Sequence, residues 1–533
     1  MQKHFNTAGP IQTENHYHID PIHRLDWEDV QHLIETGKYF VLHAPRQTGK
    51  TSTLLAMADA LNKAGAYKAL YVNIEAAQAM RGDVSAGLAV ICQAIAAHAI
   101  NDDIEPGLTG MAREILGDTH SGTALFDLLS QWARMSDQPI VLMLDEVDAL
   151  VGDTLISLLR QIRSGYPQRP KAFPQSIILC GVRDVRDYRI HSKNQEIITG
   201  GSAFNIKAAS LLMGNFTADE VYQLYQQHTA ETGQTFDETI FPELWEDTRG
   251  QPWLVNALGY EMTWKDREAR DRKVVITNER YLAARERLIR SRQTHLDQLT
   301  DKLREPRVNQ VVEAILAGED NIPHIRDDDL QYVEDLGLIT TRPSIAISNR
   351  IYQEIIPREI TWAWQSTISN QETAWYVLPN GRLDIPALLR AFQQFFRENS
   401  EIWLQGLPFK EAGPHLVLQA FLQRIVNGGG RINREYALGR KYTDLFLEWP
   451  LDEEKGFYGE VQKVVLELKI RRNSLDKTIS DGVVQIANYA RRIGTEEAYL
   501  VIFDRDPDVD WETKVWEKSG FQDGDLRVDV WGC

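Results

Sequence analysis

The chain has 533 residues, well beyond the size at which one hydrophobic core stops growing, which excludes a single-domain protein. With 43% hydrophobic and 25% charged residues, it has the composition of a folded globular protein and not of a disordered or fibrous one. A net charge of -18 excludes a protein that coats nucleic acid through overall charge, because such binding needs lysine and arginine against phosphate.

The N-terminal region and the cysteines indicate a compartment. The first residues contain no apolar segment typical of a secretion signal, and the most apolar segment, 84–100, is interrupted by Ser85, Gln93 and His98. The cysteines are odd in number, far apart and outside any cluster that could hold zinc: Cys92, Cys180 and Cys533. We therefore expect a cytoplasmic protein that makes no membrane contact.

An apolar run of strand length, Tyr39–His43, leads directly into a loop and then into a helical pattern. This order predicts a phosphate-binding loop formed by Ala44, Pro45, Arg46, Gln47, Thr48, Gly49, Lys50 and Thr51. Lys50 would reach the β- and γ-phosphates of ATP, and Thr51 would place its hydroxyl on Mg²⁺. Ala44 stands where GxxxxGK(S/T) has its first glycine, which requires an ordinary φ at that position.

A second motif supports the first. Four apolar residues, 141–144, are typical of a buried strand and end in Asp145 and Glu146. In this Walker B pattern, Asp145 would hold Mg²⁺ and Glu146 would polarise the attacking water. The alternative is an apolar strand that ends in an acidic turn by chance, and the presence of both motifs favours the nucleotide site.

Two further strands of a parallel sheet are predicted at 69–75 and 176–182, and the second is followed by Arg183. With these motifs the chain resembles the AAA-like ATPases of the STAND and archaeal type. In those proteins the strand after Walker B ends in a polar or arginine sensor of the γ-phosphate, which Arg183 matches. The alternative for Arg183 is a surface arginine that caps a strand.

The resemblance extends to three segments: FNTAGP at 5–10, NFTADEV near Asn215 and GQPWLVNAL at 250–258. It implies a helical lid whose GxP turn packs near the nucleotide, matched by Gly250 and Pro252. It also implies that the N-terminal segment lies near the adenine.

A charged helix predicted at 278–304 is followed by the order helix, helix, short hairpin, helix, which is typical of a winged helix. Winged helices bind DNA in many proteins, and in AAA and STAND ATPases they also serve as connectors. The acidic segment DDDL at 327–330 favours the connector, because phosphate contacts need basic residues.

The C-terminal part carries a second group of chemically active residues, on two strand-like segments. The first contains Asp444, and the second contains Glu467 and Lys469, which alternation places on one strand face. Two carboxylates from adjacent strands can hold a divalent cation, Mg²⁺ or Mn²⁺, with help from the carbonyl of Leu468. The lysine can position a water or hydroxide.

This constellation resembles the PD-(D/E)xK nuclease superfamily through Asp444, Glu467 and Lys469. Gln485 and Tyr489 match the QxxxY helix of one branch. The resemblance implies a restriction-endonuclease-like α/β domain of order αβββαβ, with Thr443 in place of the leading proline and a last strand at 498–504.

Other charged residues of this domain could contribute to the same site. Glu435 is either a further acidic contributor or a partner for Arg434 or Arg440. A phosphate path would be lined by basic residues: Arg471, Arg472, Lys477, Arg491 and Arg492.

The predicted organisation is α/β and multidomain. It comprises an ATPase core at 1–215, a lid and basic helix at 216–305, a winged-helix-like connector at 306–360, a further connector at 361–405, and a nuclease-like domain at 406–533. We expect an ATP-controlled, metal-dependent nuclease that acts on nucleic acid, with DNA favoured and RNA left open as the substrate, and a homo-oligomer is one expected assembly. The alternative is a nucleotide-regulated scaffold with an inactive nuclease fold.

Overall fold

The structure is a computed structural model that describes residues 2–117, 121–183, 189–191, 197–199, 204–291, 301–316, 325–360, 376–406, 417–419, 421–422, 430–436, 443–452, 456–471, 474–504, 506 and 509–533. It divides into two compact units. The first comprises Met1–Ile276 and Gln331–Gly337, and the second comprises Thr277–Leu330 and Leu338–Cys533. The five domain limits taken from the sequence stay predictions.

The first unit contains a five-stranded sheet, in which every neighbouring pair is parallel. Its strands are β1 Tyr39–His43, β2 Lys68–Asn73, β3 Ile140–Asp145, β4 Ser176–Gly181 and β7 Lys207–Leu212, in the order β2-β3-β4-β1-β7. A small antiparallel pair, β5 Arg189–His191 and β6 Ile197–Thr199, precedes β7. This confirms the predicted α/β class with a parallel P-loop sheet.

Nine α-helices lie wholly within this unit among the residues that the structure describes. They are α1 Trp27–Glu35, α2 Lys50–Ala64, α3 Val84–Asn101, α4 Leu108–Gly117, α5 Ala124–Met135, α6 Gly152–Gly165, α7 Ala218–Thr232, α8 Ile240–Thr248 and α9 Pro252–Tyr260. Alternation along β3 explains how they cover both sheet faces. Leu142 and Leu144 belong to a core that includes α3, α5 and α6, whereas Val141 and Met143 belong to one that includes α1 and α2.

Helix α3 is long and apolar enough, by length and composition, to cross a membrane, and it is the one such helix among the described residues. Its residues Leu88, Ile91, Cys92 and Ile95 are buried in the core against the sheet. In all, 39% of the helix is buried in the structure, and a core helix can pass the same test of length and composition.

Strand β7 was not predicted from the sequence. It is the edge strand beside β1, and its residues are half-buried or exposed. A half-exposed strand lacks the apolar run by which the buried strands were predicted.

The lid-like helices begin at local sequence signals. Thr217 caps α7 in a capping box with Glu220, inside the NFTADEV segment. Gln251 caps α9, whose first residue is Pro252, because proline has no amide hydrogen to satisfy there.

Helix α10, Asn278–Arg290, ends earlier than the predicted helix at 278–304. The hydroxyl of Ser291 donates to the carbonyl of Leu288 at 2.9 Å, a side-chain bond that competes with helical backbone bonding. Residues 292–300 lie outside the described residues. Next in the chain are α11 Pro306–Leu316, α12 Asp327–Asp335, β8 Ile339–Thr340, β9 Ala346–Ile347 and α13 Arg350–Ile360. They have the predicted order, and the assignment as a winged helix stays a prediction.

The C-terminal part of the second unit contains a six-stranded mixed sheet of order β10-β11-β12-β13-β15-β14. The strands are β10 Arg431–Tyr436, β11 Thr443–Pro450, β12 Val461–Ile470, β13 Glu497–Phe503, β14 Trp516–Asp523 and β15 Leu526–Gly532. Helix α14, Ile385–Gly406, contributes to the core on one face, and helix α15, Leu475–Ile493, contributes to the core on the other.

The prediction that the strand at 498–504 is the last was wrong. Two more strands, β14 and β15, form an antiparallel pair, and β15 lies parallel to β13. The sequence pattern gave only a weak indication of β14, because this strand is largely exposed. Its pairing with β15 also changes register between Lys518 and Phe521.

Candidate functional site

The phosphate-binding loop joins the carboxyl end of β1 to α2. Positive φ values occur at Gln47 and Gly49 but not at Ala44, as the missing first glycine requires. The buried ammonium of Lys50 donates to the carbonyls of Ala44 and Pro45 at 2.9 and 3.0 Å. The lysine is therefore held over the loop. In a nucleotide complex, its ammonium and the loop amides would both donate to phosphate oxygens.

Asp145 lies at the end of β3 and is fully buried. Its Oδ2 accepts from the hydroxyl of Thr51 at 2.8 Å and from the hydroxyl of Tyr71 at 3.1 Å, and its Oδ1 accepts from the amide of Glu146 at 2.9 Å. Burial, and then the adjacent carboxylate, raise the pKa of Tyr71, which keeps its proton available for this bond. These donors hold the negative charge of Asp145 next to Thr51.

Glu146 has a φ of 61°, in the left-handed region that costs a non-glycine residue about 1–3 kcal/mol. Burial first, and then the charges of Asp148 and Asp145, raise the pKa of its carboxyl above the usual range. A carboxylate with a raised pKa takes a proton from water more readily than an ordinary glutamate. The strained backbone and the raised pKa suit the predicted role of polarising water.

The hydroxyl of Thr51 and the carboxylate of Asp145 are suited to Mg²⁺, which prefers oxygen ligands and is commonly held by one or two carboxylates together with phosphates. The described residues contain no cluster of three or more His, Cys, Asp or Glu that could hold a metal by itself. A magnesium ion bound by these two groups would also have ligands from nucleotide phosphates and water, as is usual for Mg²⁺.

Arg183 follows β4, and its guanidinium lies over the ring of Tyr332, 4.7 Å from the ring centroid. Tyr332 belongs to the short segment Gln331–Gly337, which is part of the same compact unit as the phosphate-binding loop. In the same segment, a Cβ built on Gly337 would lie 2.8 Å from the ring carbons of Pro45, and the φ of Gly337 is +77°. Two residues of this segment thus contact predicted nucleotide-site residues.

The N-terminal segment 5–10 is fixed near the loop and the lid. The amide of Ile11 donates to the hydroxyl of Ser52 in the first turn of α2 at 3.0 Å. The indole of Trp253 in α9 donates to the carbonyl of Thr7, also at 3.0 Å. Its proximity to adenine stays a prediction.

The lid turn also approaches the loop. The side-chain amide of Gln251 donates to the carbonyl of Gln47 at 3.5 Å, and the amide of Phe216 donates to the carbonyl of Gly250 at 2.9 Å. Gly250 has a φ of +70°, and a Cβ there would collide with the carbonyl of Phe216. The turn therefore requires glycine at this position.

In the second unit, Glu467 and Lys469 lie on the face of β12 that α15 covers. Glu467 is fully buried and Lys469 is nearly so. The ammonium of Lys469 lies 2.7 Å from Oε1 of Glu467 and donates to Oε1 of Gln485 at 2.7 Å. The ammonium and the carboxylate form an ion pair, and neither oxygen of Glu467 accepts a hydrogen bond from another described residue.

The backbone register places Asp444 of β11 directly opposite Glu467 of β12, and Glu435 of β10 directly opposite Asp444. Directly opposite residues share one face of a sheet, so three acidic positions form one row across three strands. The side chains of Asp444 and Glu435 lie outside the described part of the structure. Of the two carboxylates predicted to hold a metal in this unit, the structure describes only the side chain of Glu467.

Two residues of the predicted phosphate path are engaged in ion pairs. Arg471 pairs with Asp504 at 2.6 Å, and Arg491 pairs with Asp523 at 2.9 Å. The ring of Tyr489 is buried and lies under the guanidinium of Arg492, 5.0 Å from the ring centroid. Arg472 lies outside the described residues.

The sequence profile of a family described as AAA-like domain matches residues 6–356. This chain belongs to the AAA-like domain family. The match covers the phosphate-binding loop, the Walker B strand and the lid, and it ends before β10. The chain is therefore a P-loop ATPase of α/β fold, and membership of this family implies that it binds ATP.

Solved structures give more distant similarities. The Walker-type ATPase PABY2304 of Pyrococcus abyssi is 15% identical, with a TM-score of 0.46 over 66% of this chain and 99% of that one. Cdc6p from Pyrobaculum aerophilum is 15% identical, with a TM-score of 0.35 over 65% and 94%. The RuvB Holliday junction branch migration motor of Thermotoga maritima is 12% identical, with a TM-score of 0.32 over 62% and 95%. No curated protein sequence matches the chain.

Three residues that contact the AAA-like site were not predicted from the sequence: Tyr71, Tyr332 and Arg24, whose guanidinium donates to the carbonyl of Thr48 in the loop. Tyr71 had a weak signal, because a tyrosine in a buried strand needs a partner for its hydroxyl. Arg24 and Tyr332 had none, since their contacts join segments that are far apart in the chain.

Proposed function

We propose that this AAA-like ATPase is a switch that controls a metal-dependent nuclease site in its C-terminal unit, with nucleic acid, DNA in the first instance, as the substrate. The observation that carries the nuclease assignment is Glu467. Its carboxylate is fully buried, it stands opposite Asp444 in the strand register, and Lys469 lies between it and Gln485.

A buried carboxylate without hydrogen-bond donors is energetically costly unless positive charge is close by. Lys469 supplies one such charge, and the row of acidic positions at 435, 444 and 467 is suited to another. A divalent cation held by Asp444 and Glu467 would offset the charge that develops on a phosphodiester and would activate a water molecule.

Lys469 and Gln485 have separate tasks in this proposal. The amide oxygen of Gln485 accepts from the ammonium and fixes its position on the α15 side of the strand. The ammonium has three donors, so it can keep this bond and still orient a water or hydroxide. Gln485 therefore acts by positioning Lys469.

The switch would use the segment Gln331–Gly337. This segment belongs to the ATPase unit, whereas the residues before and after it in the chain belong to the other unit. Tyr332 holds the predicted sensor Arg183, and Gly337 lies against Pro45 of the loop. Any nucleotide that moves Arg183 or the loop would change these contacts, and a ligand shifts a conformational equilibrium only through such differential contacts.

Within the second unit, helix α10 contacts the chain just before the C-terminal sheet. Its last residue, Arg290, donates to the carbonyl of Gly430, which precedes β10, at 2.9 Å. The acidic row begins in that strand, at Glu435. A shift of α10 would therefore be transmitted to the strand that carries one end of the row.

A second candidate function, a nucleotide-regulated scaffold with an inactive nuclease fold, is favoured by the ion pairs of Arg471 and Arg491. These arginines would have to leave their carboxylate partners before they could bind phosphate.

We further propose a cytoplasmic protein that forms homo-oligomers. The three cysteines are free and buried, which suits a reducing compartment.

The test is to incubate the protein with plasmid, linear duplex and single-stranded DNA, and with RNA, in Mg²⁺ or Mn²⁺, with and without ATP. Metal-dependent cleavage should occur and should be lost in Glu467→Gln and Asp444→Asn. Glu512→Gln is the matched control, since Glu512 is an exposed acid of the same unit that pairs with Arg397 at 2.7 Å. Metal-dependent cleavage that survives in both site variants places the active site elsewhere. Nucleic-acid binding without cleavage in any condition favours the scaffold.

A further inference from the structure

Arg24, in the segment before α1, connects two parts of the ATPase unit that are remote in sequence. One terminal nitrogen of its guanidinium donates to the carbonyl of Thr48 in the phosphate-binding loop, and the other donates to the carbonyl of Gly214. The guanidinium also lies over the ring of Phe216, 4.9 Å from the ring centroid. The planar fork of an arginine can serve two such acceptors at once.

The bond to Thr48 fixes one peptide plane of the loop. The carbonyl of Thr48 and the amide of Gly49 belong to the same rigid trans peptide, so they point in opposite directions. With the carbonyl held on Arg24, the amide of Gly49 is directed away from the guanidinium. Successive amides of such a loop, with the first turn of the following helix, are the groups that bind phosphate.

Gly49 provides an independent sign of the same contact. Its φ is +93°, and a Cβ built on it would lie 3.0 Å from the terminal nitrogen of Arg24. The guanidinium therefore packs directly behind the loop at Gly49, the residue that precedes α2.

The second bond of Arg24 leads to the lid. Gly214 is two residues before Phe216, whose amide donates to Gly250 in the lid turn. The next lid residue, Gln251, donates back to Gln47 in the loop. The contacts form a closed circuit from the loop through Arg24 and the lid turn and back to the loop.

Arg24 keeps its charge under ordinary conditions. Burial lowers the pKa of its guanidinium to about 10, which still leaves it protonated near neutral pH. Its two bonds to backbone carbonyls are therefore bonds from a charged donor, which are stronger than neutral ones.

We propose that Arg24 is a positioning residue of the ATPase site, which orients the Thr48–Gly49 peptide toward the phosphates and couples that orientation to the lid turn. The proposal rests on the ATPase assignment and is independent of the nuclease proposal.

The test compares Arg24→Met, which keeps length and apolar contact but has no donors, with Arg24→Lys, which keeps the charge but cannot span both carbonyls. The dissociation constants of ATP and ADP are measured by calorimetry on the full chain, together with kcat and KM for ATP hydrolysis. Arg24→Met should weaken ATP binding about tenfold or more, and Arg24→Lys should recover part of that loss.

Arg169→Met is the matched control in the same unit. Arg169 also donates to two backbone carbonyls, those of Gly37 and Tyr166, and lies 3.2 Å from the centroid of the Tyr166 ring. The contacts of Arg169 lie at the start of β1 and not at the phosphate-binding loop that follows this strand. Its replacement should lower the thermal unfolding midpoint and leave the ATP dissociation constant near wild type.

The coupling to the lid is tested by combining Arg24→Met with Gln251→Ala. If both act through one circuit, the double variant should lose less ATP affinity than the product of the two single losses. Losses that multiply independently would overturn the coupling to the lid.

The remaining outcomes separate this proposal from the ATPase assignment. If Lys50→Ala abolishes ATP binding while both Arg24 variants bind ATP like wild type, the positioning role is wrong. If Lys50→Ala also binds ATP normally, the P-loop assignment itself is wrong. Should Arg24→Met fail to fold, Arg24→Lys decides, since wild-type binding and hydrolysis in that variant show that the second carbonyl bond is not needed.

Discussion

Each unit has a buried carboxylate on a central strand, Asp145 in the ATPase unit and Glu467 in the C-terminal unit, and the two are satisfied in different ways. Asp145 accepts bonds from Thr51, Tyr71 and the amide of Glu146. Glu467 accepts no hydrogen bond from a described residue and has the ammonium of Lys469 beside it.

The two sites obtain the partners for their negative charge from different sources. The fold itself supplies donors to Asp145, so that site is organised before a substrate arrives, which is the arrangement that electrostatic catalysis requires. The negative charge of Glu467 is offset by cations instead, namely Lys469 and, in our proposal, a divalent metal ion. The two sites should therefore respond differently to mutation, pH and metal.

The largest expected effect is on ATP hydrolysis in Glu146→Gln. The amide cannot take a proton from water, so kcat should fall about 1,000-fold, within the usual range for loss of a general base. The dissociation constant of ATP should stay near wild type, because Asp145 keeps its donors. Steady-state hydrolysis and calorimetry measure the two quantities, with the exposed Glu35→Gln as control.

The same variant tests the switch. With ATP bound and not hydrolysed, the protein stays in the ATP-bound state, so it should cut constitutively or not at all. Equal cleavage by wild type and Glu146→Gln with ATP, with ADP and without nucleotide would show that the two units work independently.

The pH dependence of hydrolysis should show the raised pKa of Glu146. Below that pKa the carboxyl is protonated and inactive, so kcat/KM should fall about tenfold per pH unit, starting above the range of an ordinary glutamate. The folded state binds this proton more tightly than the unfolded state, so the group's stabilising contribution is present at low pH and is lost as pH rises through the folded pKa. Glu146→Gln should therefore gain stability over wild type above that pKa and not below it. An acid limb at the position of an exposed glutamate would contradict the burial argument.

Part of the fold and of the two sites could be predicted from the sequence, namely the features formed by residues that lie close together along the chain. The loop 44–51 is contiguous, and alternation along 466–469 placed Glu467 and Lys469 together without any knowledge of the fold. By contrast, Tyr71 reaches Asp145 across 74 positions of sequence, and only the pairing of β2 with β3 brings the two together. Strands β7 and β14 were missed because partly exposed strands lack an apolar run.

Divalent metal should distinguish the two carboxylates. Without nucleotide, Mg²⁺ or Mn²⁺ at about 100 times its dissociation constant should stabilise the C-terminal unit by about 2.7 kcal/mol. Hydrogen exchange should show slower exchange in β12, with no comparable change in β3. Glu467→Gln should remove the effect, and Glu512→Gln should retain it. If metal slowed hydrogen exchange in β3 and left exchange in β12 unchanged, Asp145 and not Glu467 would be the carboxylate that binds the metal without nucleotide.

The smallest expected effect is that of Tyr71→Phe, which removes one neutral donor from Asp145 and leaves the bonds from Thr51 and from the amide of Glu146. Loss of such a bond costs about 1 kcal/mol, so affinity for magnesium-ATP should fall about fivefold.

The matched control is Tyr39→Phe. Tyr39 is also a buried tyrosine of the sheet, and its hydroxyl donates to the carbonyl of Pro174 at 2.8 Å, at the opposite end of β1 from the loop. Both variants lose one buried hydrogen bond, so both should be destabilised by a similar amount. Only Tyr71→Phe should weaken magnesium-ATP binding, because only Tyr71 helps to hold the carboxylate that faces the nucleotide site. If the two variants bound magnesium-ATP equally well, the donors around Asp145 would serve folding alone, and the contrast with Glu467 would be one of stability and not of catalytic organisation.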